Sequence, residues 1–167
     1  MKQLTLFRHA KSSWNDPGLP DNERPLSSRG ERDAPEMASR LASRGERPDV
    51  ILTSHAVRAT ATARAIAAGL GCPDETIHID RRLYLAAPHA LLDLLRRQDD
   101  RDRHILVVGH NPGLTEAANL LLPTFAIDNL PTAAVVAIRV DTDRWSDLSP
   151  IVCELLYYDY PKRAPRT

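Results

Sequence analysis

The sequence predicts an α/β fold: a single three-layer α/β/α domain with a mainly parallel central sheet and an antiparallel edge. Short β-rich runs alternate with longer segments of helical periodicity, which is typical of strand–helix–strand units. The last two β-rich runs have no helix between them, so we expect them to pair antiparallel at one side of the sheet. The length of 167 residues fits one domain, which we expect to cover residues 1–160, followed by a frayed tail over 161–167.

Six segments of the chain are predicted to be strands. In chain order they cover residues 4–7, 49–53, 76–79, 104–109, 133–140 and 151–157. The fourth strand, HILVVG, is apolar enough to be covered by helices on both faces. In sheets of this kind, ligands bind at the edge where the carboxyl ends of the parallel strands meet.

Helices are predicted between the strands. They cover about residues 28–43, 56–70, a segment that starts near 88, and 112–122. Ser28 and Glu31 have the spacing of a capping box at the start of the first helix, and Pro35 predicts a kink or a delayed regular start. Asn111 suits the N-cap of the last of these helices, with Pro112 at its first position.

Composition narrows the classes of partner. Lys and Arg together number 22, as do Asp and Glu, and this zero net charge argues against nucleic acid or a membrane surface as the main partner. No stretch reaches the ~18 apolar residues of a membrane span, and charged residues interrupt the N-terminal segment where a signal peptide would be apolar. We therefore expect a cytoplasmic protein. No set of His, Cys and acidic residues has convincing metal-ligand spacing, so neither a metal nor another cofactor is expected.

Four basic side chains are predicted to meet at one edge of the sheet. Arg8 and His9 end the first strand, and His110 follows the fourth, beside a helix N-terminus that offers free N–H groups to an anion. Arg58 lies in the first turn of the helix after the second strand, from which it reaches the same edge. These motifs bring no carboxylate with them, and buried cations need an anionic partner. A phosphoryl group suits them best, because Arg binds it through forked, charge-assisted hydrogen bonds.

These motifs resemble those of the histidine phosphatase superfamily, whose signature is Arg-His-Gly at the end of the first strand. The corresponding stretches are RHA at 8–10, SHAVRATATA at 54–63 and GH at 109–110. The chain is most similar to the small SixA-type phosphohistidine phosphatases, through RHAKSSW, RPLSSRGERDA at 24–34, VGHNPGL at 108–114 and the lack of an inserted cap. The resemblance spans nearly the whole chain and implies a phosphoglycerate-mutase-like fold.

The resemblance also implies a role for each residue of the cluster. His9 would be the nucleophile that forms a transient phosphohistidine, and Arg8, Arg58 and His110 would hold the three non-transferred oxygens. Physical chemistry agrees with these roles. Phosphoryl transfer depends mostly on positioning and electrostatic stabilisation, and adjacent cations favour the neutral imidazole that can attack phosphorus.

Three further residues are expected to bind substrate. Asn15 matches the Arg-His-Gly-Glu-Ser-x-x-Asn pattern of the mutase-like relatives, which would place it near the phosphate. Arg24 belongs to the Arg-Pro-Leu motif of the SixA-like branch and would line the substrate entrance. Asn111, next to His110, is the third.

The sequence departs from the superfamily pattern in three places. Ala10 replaces the usual Gly, and His55 stands where Pro is common, which predicts a changed helix entry. The third departure is mechanistic: residues 81–90 contain no carboxylate where many relatives carry the general acid. General acid catalysis typically contributes ~10²–10⁴-fold, so its absence favours phosphohistidine over sugar phosphates. Asp16 or Asp21 in the first loop could still supply a proton.

The leading hypothesis is a metal-independent phosphatase that acts on protein phosphohistidine in a phosphorelay. One alternative is a small-molecule phosphoester phosphatase, and another is a phosphate- or phosphoprotein-binding module without turnover. The expected partner is therefore a phosphorylated protein or a small phosphorylated metabolite. His104, at the opposite end of the fourth strand from His110, is expected on the surface, as are His78 and His89.

Overall fold

The computed structural model describes residues 1–164. Its strands and helices, in chain order, are β1 (Lys2–Arg8), α1 (Ser28–Ser43), β2 (Val50–Thr53), α2 (Val57–Leu70), β3 (Ile77–Ile79), α3 (Pro88–Arg96), β4 (His104–Gly109), α4 (Gly113–Leu121), β5 (Val135–Val140) and β6 (Cys153–Asp159). Short 3-10 turns lie between some of these elements. Over residues 1–164, no helix combines the length and the apolar character that a membrane span requires.

The strands form one sheet in the order β3-β2-β4-β1-β5-β6. The first four in this order run parallel to one another, whereas β5 is antiparallel to β1, and β6 is antiparallel to β5. This confirms the mainly parallel sheet with an antiparallel edge. In the register of the central pair, Arg8 lies opposite Gly109, so the residues that follow, His9 and His110, leave the sheet side by side.

Two apolar layers enclose the sheet. Because successive side chains of a strand point to opposite faces, Leu6 and Phe7 of β1 belong to different layers, as do Val107 and Val108 of β4. Helices α3 and α4 pack in the first layer and α1 and α2 in the second. The predicted three-layer arrangement is confirmed.

The start of α1 differs in detail from the prediction. The N-cap is Ser27 rather than Ser28, and its hydroxyl accepts a hydrogen bond from the Gly30 N–H at 3.1 Å. Two adjacent serines can each cap a helix, and the tertiary position of the chain selects one of them. Pro35 lies inside a helix that already begins at Ser28, so the delayed start is wrong.

His104 is buried, and its predicted surface position is wrong. Only 8% of the residue is exposed. Its Nε2 lies 2.8 Å from the Thr5 hydroxyl and 3.2 Å from a carboxylate oxygen of Glu46. The reason is topological, because β4 lies between β1 and β2 and is covered from its first residue. His78 and His89 are exposed, as predicted.

The last described residues lie against α1. Arg40 donates hydrogen bonds to the backbone carbonyls of Tyr160, Pro161 and Arg163 at 3.0 Å each. Part of the predicted tail thus contacts the domain, while residues 165–167 lie outside the described part of the chain. The domain boundary at residue 160 stays a prediction.

Candidate active site

A cleft of about 320 Å³ opens where β1 and β4 end. The four predicted cluster residues all line it. Among the described residues, its charged lining is entirely cationic and consists of Arg8, Lys11, Arg24 and Arg58. Such a surface attracts an anion and binds it through charge-assisted hydrogen bonds. In residues 1–164, no group of three or more His, Cys, Asp or Glu side chains is arranged to hold a metal ion.

His9 has the protonation state of a nucleophile. The residue is buried, and its Nδ1 donates a hydrogen bond to the Ala10 carbonyl at 2.8 Å. Burial lowers the pKa of His9 to about 4, and nearby guanidinium groups, Arg58 foremost, act in the same direction against the opposing hydrogen bond to Ala10. The imidazole is therefore neutral at pH 7, with the lone pair on Nε2.

Arg58 lies between the two histidines of the cleft. Its Nε donates toward Nε2 of His9 at 3.4 Å, and its Nη2 lies 3.4 Å from Nδ1 of His110. The two imidazole rings are 5.1 Å apart between centroids. Arg58 occupies the second position of α2 and is buried. One guanidinium group thus faces both rings.

His110 is held by Ser54, which follows β2. The Ser54 hydroxyl lies 2.6 Å from Nε2 of His110 and accepts a hydrogen bond from the Ala56 N–H at 3.3 Å. Burial lowers the pKa of His110 to about 3, with His9 and Arg58 as further causes.

Arg8 lines the cleft and has one donor without a partner among the described residues. Its Nη1 donates to the Leu130 carbonyl at 2.7 Å, but its buried Nε has no hydrogen-bond partner among the described residues. Burial, followed by the charge of Arg58, lowers the pKa of Arg8. A buried donor without a partner is costly.

A carboxylate from outside the predicted motifs lies behind these cations. The Oδ2 of Asp21, in a 3-10 turn before α1, accepts hydrogen bonds from Nη2 of Arg58 at 2.9 Å and from the Tyr84 hydroxyl. Burial raises the pKa of Asp21, but the hydrogen bonds from Tyr84 and Arg58 outweigh it and hold the pKa well below its usual range. Asp21 is therefore ionised at neutral pH, and it is not part of the cleft lining.

Arg24 joins the cluster in the cleft. It is buried, its Nη1 donates to the Ser12 hydroxyl at 2.7 Å, and its guanidinium lies 3.6 Å from the centroid of the exposed Trp14 ring. This position agrees with a role at the substrate entrance.

The two predicted asparagines occupy different environments. Asn111 lines the cleft, but its Oδ1 accepts from the Thr115 N–H and hydroxyl at the start of α4, while its Nδ2 donates to Asn129 and to the Leu130 carbonyl. Pro112, not Asn111, occupies the N-cap position. Asn15 is exposed and borders a neighbouring depression rather than the cleft. The structure thus brings Arg24 and Asn111, but not Asn15, to the predicted cluster.

Comparison with known proteins identifies the family. The model of the histidine phosphatase superfamily (branch 1) matches residues 4–84, which include Arg8, His9 and Arg58. An uncharacterised protein of Mycobacterium tuberculosis is 31% identical over 165 residues, covering 93% of this chain and 100% of that protein. The chain belongs to the histidine phosphatase superfamily. A chloroplastic relative from Arabidopsis thaliana, also uncharacterised, is 36% identical over 72% of this chain, which spans 59% of that protein's length.

Solved structures place this superfamily member in the SixA-like branch. A structure described as a phosphohistidine phosphatase SixA from Agrobacterium tumefaciens matches with a TM-score of 0.81 and 25% identity, covering 96% of this chain and 98% of that one. A mycobacterial glucosyl-3-phosphoglycerate phosphatase matches with a TM-score of 0.63 and 19% identity, over 93% and 97% of the two chains, which shows a shared fold alone. The predicted phosphoglycerate-mutase-like fold and the SixA-like resemblance are both confirmed.

Sequence reasoning missed two side chains that complete the site. Ser54 follows a parallel strand directly, as His9 and His110 do, and this shared position is a signal that could have found it. Tyr84 lies in the stretch without a carboxylate, and its ring packs edge-on against His110 with centroids 5.4 Å apart. Its hydroxyl reaches Asp21 from a loop with no periodic pattern, so no sequence signal points to this contact.

Proposed function

We propose that the chain is a metal-independent phosphatase that removes phosphate from protein phosphohistidine through a covalent phosphohistidine on His9, within a phosphorelay. One observation carries the proposal: the cleft combines a neutral, buried imidazole with a cationic lining that has no carboxylate among the described residues. An imidazole nucleophile and fixed positive charge are what phosphoryl transfer requires. The absent carboxylate favours a leaving group that departs without a strong acid.

In the first step, Nε2 of His9 attacks phosphorus in line with the substrate's P–N bond. A new P–N bond forms as the old one breaks, and the substrate imidazole leaves with the electron pair of that bond. The substrate reacts in the form whose other ring nitrogen is protonated, so the ring leaves as a neutral imidazole. His9 keeps its own proton on Nδ1, where the Ala10 carbonyl accepts it. One P–N bond is exchanged for another, so this step has little thermodynamic cost.

In the second step, water attacks the phosphoenzyme. The P–N bond to His9 breaks, and its electron pair returns to Nε2. Inorganic phosphate is released, and the protons of the attacking water stay on it or pass to solvent. In both steps Arg8, Arg58 and His110 hold the three non-transferred oxygens and stabilise their charge. The unpartnered Nε of Arg8 supports its share of this role.

Exposed apolar side chains at the rim of the cleft favour a protein substrate. Trp14 and Leu85 line the cleft and are large apolar side chains with 67% and 54% exposure. Exposed apolar groups around a polar centre are typical of protein contact sites. A phosphohistidine on a folded domain would bring surface to cover them, whereas a small metabolite would leave them in water.

The small-molecule phosphoester alternative requires a proton donor for the leaving alkoxide. Asp21 is a carboxylate that contacts a cluster residue, at 2.9 Å from Arg58, and it is the specific observation in favour of this alternative. Its lowered pKa and its position outside the cleft lining weigh against the role. The third possibility, a binding module, is disfavoured because all four cluster residues are assembled.

A side-by-side assay tests the proposal. With EDTA present, phosphate release is measured from a phosphohistidine-bearing protein domain, from sugar phosphates, and from p-nitrophenyl phosphate, whose leaving group needs little acid. We expect the phosphohistidine domain to be preferred over the sugar phosphates by ~10²-fold or more, the lower range of a general acid's contribution. Preference for sugar phosphates would support the phosphoester alternative. Phosphate binding without any turnover would support the binding module.

A further inference from the structure

The guanidinium of Arg58 is held on two sides. Its Nε faces His9, while Nη1 donates to the backbone carbonyl of Asp21 at 2.6 Å and Nη2 to the carboxylate of the same residue at 2.9 Å. A planar guanidinium with two such contacts on one edge has its rotation fixed. Asp21 therefore determines where the opposite edge of Arg58 points.

The same carboxylate also holds Arg24. Its Oδ1 accepts hydrogen bonds from Nε of Arg24 at 3.3 Å and from Nη2 at 3.1 Å. The remaining terminal nitrogen of Arg24 donates to the Ser12 hydroxyl in the cleft lining and to the Ser13 carbonyl at 3.3 Å. One carboxylate thus connects two cations of the cleft, which come from different segments of the chain.

Tyr84 fixes the carboxylate itself. Its hydroxyl donates to the Asp21 oxygen that Arg58 also contacts. The Tyr84 ring packs edge-on against His110 and against His55, with centroids 5.4 Å and 5.2 Å apart. The first loop, the turn after β3 and the start of α2 are joined through Asp21.

We propose that Asp21 is a positioning residue, which orients the Arg58 and Arg24 guanidinium groups so that their positive charge and their cleft-facing N–H groups meet the transferred phosphoryl group. The inference rests on the proposed function and names a residue that acts through others in that site. Asp21 does not itself line the cleft. In this role Asp21 favours phosphate binding by orienting the two guanidinium groups. Its negative charge has the opposite effect, because a carboxylate close to an anion site repels the anion.

Because orientation and charge change the phosphate affinity in opposite directions, a variant of Asp21 tests which of them dominates. Asp21→Asn keeps the size of the side chain and removes its charge, and Glu23→Gln is the matched control. Glu23 is exposed, lies on the same 3-10 turn and makes no side-chain hydrogen bond among the described residues. If Asp21 positions the cations, Asp21→Asn weakens binding of inorganic phosphate and lowers kcat on the phosphohistidine domain by ~10–10²-fold, the cost of a small misplacement. Glu23→Gln leaves both values unchanged.

An unchanged or increased phosphate affinity in Asp21→Asn would overturn the inference. If Asp21 were only a nearby negative charge, Asp21→Asn would bind phosphate as tightly as the native chain or more tightly, with kcat preserved. Thermal unfolding shows whether the variant is folded. If it is not, Tyr84→Phe decides, because it removes a donor to the carboxylate and leaves every charge in place. We expect a loss in the same direction, and an unchanged phosphate affinity and kcat in Tyr84→Phe would then overturn the inference.

Failure of this inference can be distinguished from failure of the proposed function. Phosphate affinity, measured by calorimetric titration with inorganic phosphate, needs no turnover. A native chain that releases phosphate from no substrate would contradict the proposed function, while the phosphate affinities of Asp21→Asn and Glu23→Gln would still test the positioning role. A native chain with full turnover and an unaffected Asp21→Asn would contradict the positioning role alone.

Discussion

The two ends of β4 each bury a histidine, but in opposite electrostatic environments. At the amino end, His104 contacts Glu46 at 3.2 Å. That carboxylate also accepts hydrogen bonds from Gln3 and from the Tyr157 hydroxyl. At the carboxyl end, Nδ1 of His110 lies 3.4 Å from Nη2 of Arg58, and Arg8, which lines the same cleft, has a buried Nε without a partner among the described residues. The amino-end histidine contacts a carboxylate directly, whereas the four cations that line the carboxyl-end cleft outnumber the one carboxylate, Asp21, that contacts them from behind.

We expect this difference in surroundings to separate a structural histidine, His104, from the proposed functional one, His110. Burial lowers the pKa of both residues. For His104, the charge of Glu46 opposes the effect of burial, while for His110 the neighbouring His9 and Arg58 reinforce it and the charge of Asp21 opposes it. Burial alone therefore does not identify a catalytic histidine. We expect the balance of the neighbouring charges to do so, and the following predictions test that distinction.

The largest effect is expected at His9. His9→Ala removes the nucleophile, so we expect turnover of the phosphohistidine domain and trapping of radiolabelled phosphate on the protein to fall to background. His89→Ala, at an exposed position outside the cleft, is the matched control and should retain both. Normal turnover in His9→Ala would show that the nucleophile lies elsewhere.

Arg58 should have the next largest effect. Arg58→Ala removes the guanidinium that faces both rings, and the loss of one preorganised donor typically costs ~3 kcal/mol of transition-state stabilisation. We expect kcat/KM for the phosphohistidine domain to fall by ~10²-fold or more. Arg64→Ala, an exposed residue of the same helix, controls for changes in α2. A loss smaller than ~10-fold would mean that Arg58 does not contact the phosphoryl group.

The amino-end cluster should affect stability rather than catalysis. Glu46→Ala removes the acceptor shared by His104, Gln3 and Tyr157, and buried polar groups without a partner cost ~1–3 kcal/mol. We expect the free energy of unfolding in urea to fall by about that amount, while kcat per folded molecule is preserved. A fall in kcat with unchanged stability would contradict the separation of the two ends.

Sequence reasoning identified the parts of this comparison that depend on local pattern. Strand and helix periodicity predicted the layers, and the position after a parallel strand predicted the meeting of His9 and His110. The environment of His104 was missed because its burial depends on β1 and β2, which are distant in sequence. Asp21 was noted only as one of two possible proton sources. Its contacts with Arg24 and Arg58 depend on the conformation of an irregular loop, and no residue spacing reports that conformation.

The smallest effects are expected in the titration of the histidines. The pKa of His9 is lowered from the ordinary 6.5 to about 4, so its ring should stay neutral as pH falls from 7 and take up a proton only near pH 4. Because this pKa is lower in the folded than in the unfolded chain, the unfolded chain takes up the proton first as pH falls. The contribution of His9 to the free energy of unfolding is therefore fully present above pH 6.5 and is lost between that pH and about 4. Histidine ring signals in NMR spectra, assigned with His9→Ala, measure this midpoint directly. A midpoint near 6.5 would remove the electrostatic basis of the neutral nucleophile.

Glu46→Gln extends this titration to the other end of β4. The negative charge of Glu46 favours the protonated form of His104, so neutralising that charge should lower the pKa of His104 further. The midpoint of His9 should not move, because Glu46 is not among the groups that shift it. If both midpoints moved together, the two ends of β4 would be electrostatically coupled, and the neutral state of the nucleophile would depend on the whole strand rather than on the cations of the cleft.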